Sequence, residues 1–307
     1  MDVRIFTYLA AMLALSQAGV PRAGLMGLDQ KGPIARVRKT LRKDTSTEPK
    51  AFYLDEQPEI TDINKDLSLQ EGDIMQLKQR NTLLSPTYEE YLWPKEIPVI
   101  YDGTISLLAK AAIDETRREY ELRTCLSLPE RTDEENFIQF TTLSGCWSYV
   151  GMNGGSQNIS IGRGCEKMAT IEHEIMHALG IWHEQSRADR DDYVEIVWDY
   201  VGEGREHNFN NYPFNETDDR RVPYDFNSVM HYSKTAFTID GNTTIQTRDP
   251  TFEDVIGQRS TFSPGDITKI NRMYDCSDTL RVSNHVNFDE QNIGGFSQQG
   301  LQSDANG

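Results

Sequence analysis

Positive charge is scarce in this chain. Its 307 residues hold 31 lysines and arginines against 48 aspartates and glutamates, a net charge of −17 at pH 7. A surface of that sign repels polyanions, which argues against nucleic acid or an anionic membrane as partner. Long apolar runs are also missing: after the N-terminal stretch, none is long enough to cross a bilayer. There are only four cysteines, Cys125, Cys146, Cys165 and Cys276. No two of them stand at metal-ligand spacing, which excludes a cysteine-bound zinc, while an even count in an exported chain allows two disulfides in three pairings. Hydrophobic residues make up 37% of the chain, enough for one or two packed domains.

Histidine is also scarce, with six in the chain, yet three of them fall within eleven residues. Residues 173–183 read H-E-x-x-H-x-x-G-x-x-H. On a helix, positions four apart share a face, so His173 and His177 can grip one metal ion together. Glu174 stands one step round, beside the open coordination position, where it can take a proton from a zinc-bound water. Gly180 lets the chain leave the helix with positive φ, and the turn brings His183 back as a third ligand. Three nitrogens leave room for water and substrate, as in a catalytic zinc site. Composition alone would produce this pattern in roughly one chain per hundred thousand. The run is therefore read as a site, with one Zn²⁺ per chain, and not as a buried helix with incidental histidines.

Arg4, an apolar run over residues 5–15, and the small residues Ser16 and Ala18 read as an export signal over residues 1–18. Residues 24–68 are polar and without sustained periodicity, which predicts a poorly packed prosegment. Three N-x-S/T sequons, Asn158, Asn215 and Asn242, suit a secreted glycoprotein. Strands are expected over residues 97–101, 136–140, 146–150 and 158–161. A first helix is expected over 106–120 with Leu107, Leu108, Ala111, Ala112 and Ile113 on its apolar face. The histidine helix spans 169–179. Beyond His183 the chain becomes irregular until a last helix over 264–274.

The segment Ser228-Val229-Met230-His231-Tyr232 resembles the Met-turn of the metzincin peptidases, in which a methionine lies beneath the zinc histidines. Glu184 directly after His183, and Tyr232 two residues after Met230, resemble the astacin family within them. The resemblance covers about residues 70–276. It is nearest to the meprin subgroup in the runs HEQSRADRDDYVEIVWDYVGEGREHNF (183–209) and FEDVIGQR (252–259). It implies an α+β catalytic domain over residues 81–276. A twisted, mostly parallel sheet of about five strands would lie over two helices, above an irregular lower half with a C-terminal helix. It selects the disulfides Cys125–Cys276 and Cys146–Cys165.

The same resemblance implies roles for further residues. Tyr232 would be a movable zinc ligand in the free enzyme and would hydrogen-bond the oxyanion during the reaction. Asp73 would ligate zinc in a zymogen whose propeptide spans residues 19–80. Gly72 and Asp73 match the family's F-x-G-D, Gln70 stands where it has an aromatic residue, and Leu69 is expected to supply the packing. A trypsin-like protease would cut between Arg80 and Asn81, and the new ammonium of Asn81 would pair with Glu184. Arg205 and Arg259 match basic positions of the primed-side pocket, which implies a preference for Asp or Glu at P1′. Residues 187–192 form a charge cluster expected to fix the turn. Residues 277–307 faintly resemble the start of a MAM domain, read as a disordered extension or a truncated piece. No oligomer is implied, and no cysteine is left for an intersubunit bridge. Protein or peptide substrates follow, with a vestigial zinc-binding scaffold and a small-molecule amidase as the rival readings.

Overall fold

The computed structural model describes residues 58–76, 88–213 and 218–276. The expected signal and tail, the Arg80–Asn81 bond and Asn215 lie outside the described residues.

Alternation of apolar residues builds the sheet. Strands β1 (Val99–Tyr101), β2 (Phe137–Thr141), β3 (Cys146–Trp147) and β4 (Ser156–Ile161) lie in the order β1-β2-β4-β3. The first three neighbours run parallel and β3 is antiparallel to β4. Ile138, Phe140, Ile159 and Ile161 face inward and are all but fully buried. Among the described residues the sheet has four strands where about five were expected, and β3 is only two residues long. Its continuation bonds elsewhere: Ser148 N donates to Asp73 O at 3.1 Å, and Met75 N donates to Ser148 O at 2.8 Å. Residues 73–75 thus occupy the edge that β3 leaves open.

Helix α1 (Ile60–Ile63) precedes the sheet, and α2 (Leu107–Arg123) and α3 (Met168–Leu179) pack against it. The expected face of α2 is corrected. Leu107 and Leu108 are 88% and 68% exposed, whereas Ala109, Ile113, Thr116 and Tyr120 are buried. Those four positions keep the 3.6-residue period, which the leucine pair breaks. Ser106 caps the helix by accepting from Ala109 N at 3.1 Å.

A second correction concerns residues 58–68, which are packed and not loose. Asn64 is 2% exposed; its amide donates to Gly72 O and Cys146 O, and its oxygen accepts from Cys146 N. These residues belong to the same compact unit as those that follow them. A polar composition gave no hint of this, because one asparagine meeting three backbone groups has no periodicity.

Past α3 the described chain is largely loop with short 3₁₀ turns, and the short strands β5 (Val194–Ile196) and β6 (Ile245–Thr247), far apart in sequence, pair antiparallel. The last element of the described residues is α4 (Pro264–Met273), opened by a Ser263–Asp266 capping box with proline in the first turn. There are two cores. One joins the four-stranded sheet to α2, α3, α4, Val229 and Met230. The other gathers Val194, Phe209, Tyr224, Tyr232, Ile245 and Ile256. Disulfides join Cys125 to Cys276 and Cys146 to Cys165. The corrected face of α2 makes a contrast: Ile113→Ala should cost about 2–5 kcal/mol, and Leu107→Ser no more than about 0.5 kcal/mol. Both are read by denaturant unfolding.

Candidate metal centre

Helix α3 carries His173, Glu174 and His177, all without exposed surface. It stops at Gly180, whose φ is 107°. The positive φ is what requires glycine; a Cβ there would stand 2.8 Å from the Met273 methyl, the movable end of a flexible side chain. Gly180 N bonds His177 O and Ile181 N bonds Met176 O, closing the helix end. Three residues on, His183 points back.

The rings are fixed from outside. His173 Nδ1 donates to Val229 O at 2.7 Å, His177 Nδ1 to Ile181 O at 2.8 Å, and His183 Nδ1 to the Glu71 carboxylate at 2.7 Å. A carbonyl accepts only, so these bonds leave the Nε2 lone pairs of His173 and His177 facing inward. Those two nitrogens lie 3.1 Å apart. Asp73 reaches the same point, with Oδ2 at 3.0 Å from His173 Nε2 and 3.2 Å from His183 Nε2, and Oδ1 at 3.3 Å from His177 Nε2. One donor atom from each of the four residues lies within 4.8 Å of the others.

Burial works against charge throughout. It pushes His173 down to about 3, despite the hydrogen bond and charge of Asp73. Burial would raise Asp73 as well, but the charge on the imidazole cluster, His183 foremost, outweighs it and holds the carboxylate well below its usual range. His183 also resists burial: Asp73 and Glu71 together push it up to about 9. The cluster therefore needs one positive charge among its rings, which a proton on His183 or a metal cation supplies. Three imidazole nitrogens and one carboxylate oxygen form a donor set suited to tetrahedral zinc. Beside them Glu174 is buried with neither carboxylate oxygen hydrogen-bonded, and burial and the Asp73 charge raise its proton affinity well above the ordinary.

Residues 228–232 turn between the two cores, and Met230 is fully buried in the upper one. Asp266 pins the turn, accepting from Ser228 Oγ at 2.6 Å and from Val229 N at 3.0 Å. It thereby holds the carbonyl that orients His173. Tyr232 sits in the lower core with its ring 4.7 Å from that of His183; its N–H donates to Gln185 at 3.0 Å and its hydroxyl to the Glu71 carbonyl. Glu184 is buried and accepts from Arg187 at 3.1 Å, Asp225 N at 3.0 Å and Lys269 Nζ at 2.5 Å. Lys269 thus holds a carboxylate expected to pair with Asn81, whose own place lies outside the described residues.

Arg259 donates to His231 O and Gln258 O, and its buried Nε has no partner. Its charge is felt by Asp73, Glu174 and Glu59. Arg205 lies elsewhere, half-buried, donating to Lys65 O. Of the cluster after the histidines, Arg187 pairs with Glu184, Asp189 and Asp219, and Arg190 with Asp191 and the carbonyls of Gln185 and Phe209. Asn158 is half-buried inside β4, while Asn242 stands exposed in a loop. Leu69 is buried, and Gln70 donates to the Tyr212 hydroxyl at 3.0 Å.

Sequence reasoning passed over Glu71, Gln185, Asp266 and Lys269. Only Asp266 had a legible signal, as the fourth residue of Ser-Pro-Gly-Asp before a helix. The other three act through contacts distant in sequence, Gln185 with Tyr232, Lys269 with Glu184, and Glu71 with His183, Ser186 and Tyr232.

A family model described as Astacin (Peptidase family M12A) matches residues 85–275. Meprin A subunit beta of Rattus norvegicus is 45% identical over 249 residues, 80% of this chain and 35% of that protein. Meprin A subunit alpha of Mus musculus is 43% identical over 253 residues, 81% of this chain and 33% of that one. The chain thus spans about a third of the length of these relatives. Among solved structures, high choriolytic enzyme 1, a hatching enzyme zinc-protease of Oryzias latipes, is similar with TM-score 0.58 and 35% identity, covering 66% of this chain and 100% of that one.

Lys269 offers a test of the buried charges. Lys269→Met should destabilise by about 3 kcal/mol, since it removes one partner of a buried ion pair. Glu184 is held below its usual value, against burial, by Lys269 and Arg187. Its contribution is therefore complete above its unfolded value and fades as pH falls below it. The acid limb of the pH–stability curve, measured by urea unfolding, should be shallower in the variant.

Proposed function

The chain belongs to the astacin family of peptidases, and on that footing we propose that it is a secreted zinc endopeptidase made as a zymogen. The observation that carries the reading is the convergence of His173, His177, His183 and Asp73 on one point beside the unpartnered Glu174.

Residues 1–18 act as the signal, 19–80 as the propeptide and 81–276 as the catalytic domain, with 277–307 a tail or the start of a further domain. The three histidines hold zinc, which supplies Lewis acidity toward a peptide carbonyl and makes water acidic enough to attack near neutral pH. Glu174 accepts the proton of the attacking water and passes it to the leaving amine; its lack of hydrogen bonds and its raised basicity suit both transfers. The Tyr232 hydroxyl donates to the oxyanion as it develops. Gly180 and Met230 keep the ligand turn and the floor of the site in place.

Latency follows from position. Asp73 fills the point where a reacting group would lie, and residues 73–75 lie along the open sheet edge beside Ser148. A trypsin-like cut between Arg80 and Asn81 frees this segment and creates an ammonium for which Glu184 is the anchor. Once residue 71 leaves, Tyr232 loses its acceptor and is free to turn toward the metal. Arg259, half-buried with its Nε buried and unpartnered and sensed by Glu174, supports a preference for Asp or Glu at P1′. Arg205 contributes from farther along the cleft. Asn242 is the sequon best placed for a glycan, with Asn158 less accessible. Protein or peptide substrates are the partners.

Cleavage-site profiling of the trypsin-treated protein on a diverse peptide mixture tests this. Cuts before Asp or Glu are expected, and cuts without acidic preference would remove the roles of Arg259 and Arg205. Glu174→Ala should keep its zinc and lose about 10²–10⁴-fold in turnover. In Tyr232→Phe, kcat should fall about 10²-fold with little change in KM, because the bond forms in the transition state. An equal loss in KM would contradict that role.

A further inference from the structure

A second carboxylate reaches the metal centre from outside the ligand set. Glu71, two residues before Asp73, is fully buried. Its Oε2 accepts from His183 Nδ1 at 2.7 Å and from Ser186 Oγ at 3.0 Å, and its backbone carbonyl accepts from the Tyr232 hydroxyl. His183 and Ser186 are each 1% exposed, so these bonds are made out of contact with water. The other oxygen of Glu71 is buried without a partner, which leaves the Oε2 pair as the carboxylate's whole support. Glu71 also holds φ at 48° and Gly72 at 81°. A residue with a Cβ keeps such a conformation only where its surroundings enforce it.

The three imidazoles are not held alike. His173 and His177 give their outer protons to the carbonyls of Val229 and Ile181, which lie in the catalytic domain. His183 gives its own to a side chain of the segment that also carries Asp73. Outer partners of this kind orient a ligating ring and raise its basicity. One of the three is therefore removable.

We propose that His183 Nδ1 and Ser186 Oγ form a second carboxylate-binding point, distinct from the metal ligands, which recognises acidic peptides in which two carboxylates are spaced as in Glu-Gly-Asp. Asp73 takes the inner point and Glu71 the outer one. Glu71 is then a positioning residue of the latent state: its carboxylate holds the His183 ring and its carbonyl holds Tyr232 turned away. The proposal rests on the reading of residues 19–80 as a propeptide, and it assigns latency to two carboxylates where that reading needs one. A peptide of other origin with the same two groups would fit the same two points.

The test uses the full chain loaded with zinc and cut with trypsin. Native mass spectrometry follows the release of the fragment carrying residue 71 from the catalytic part. Charge-assisted hydrogen bonds of this kind set the scale: Glu71→Gln and Glu71→Ala should release the fragment about ten-fold to a hundred-fold faster than the wild type. Release of the Glu71→Ala fragment at the wild-type rate would overturn the proposal. Should that variant not fold, the wild-type cut enzyme can be titrated with a fluorescent peptide of residues 69–75 and its Glu71→Gln form. A weakening of about ten-fold supports the second point, and equal affinity overturns it. Failure of the peptidase reading is seen separately, as absence of proteolysis by the wild type after its fragment has been fully released.

Discussion

Three imidazole nitrogens and a carboxylate share one buried volume a few ångströms across, without water to screen them. Unbalanced charge in such a place is costly, and much of the surrounding structure acts to hold these groups together. Helix α3 supplies two rings on one face, Gly180 turns the chain, and His183 closes the set. The supports reach far in sequence. Asp266 at the start of α4 fixes the turn at 228–230, whose carbonyl sets the tautomer of His173. Glu184 ties the residue after the third histidine to Lys269 on the same helix and to the backbone of Asp225.

The same turn joins the two cores. Met230 belongs to the upper one and Tyr232, two residues later, to the lower. Backbone bonds from Glu184 N to Met230 O and from Tyr232 N to Gln185 anchor both ends of the turn. Of these bonds only the one from the Tyr232 hydroxyl reaches residues 58–76, so the proposed release would free the side chain and not the backbone of Tyr232. Release of residues 58–76 would accordingly open the site and also uncover part of the upper core, to which Ile60 contributes.

How much of this could be read in advance depended on how local the cause was. The metal helix was legible because ligand spacing, helix period and the stop at Gly180 are set within eleven residues. The last helix carried its own cap and proline. The face of α2 was misjudged because Leu107 and Leu108 outweigh Ala109 and Thr116 in apolar content, while burial follows the period. The packed state of residues 58–68 was missed since Asn64 is satisfied by backbone groups of Gly72 and Cys146, the latter 82 residues away. Lys269 and Glu71 are illegible for the same reason: each matters through partners brought near only by the fold. The family resemblance reached Asp73 and Tyr232, which local spacing alone could not.

That zinc lies among the three histidines and that Asp73 closes the site is the claim on which latency, activation and catalysis all depend. X-ray absorption at the zinc edge, taken on the uncut chain and again after the tryptic cut, addresses it most directly. The account predicts three imidazole nitrogens and a carboxylate oxygen in the uncut chain, with the carboxylate contribution lost after the cut. An uncut chain that takes up no zinc, or a zinc shell that the cut leaves unchanged, would contradict it.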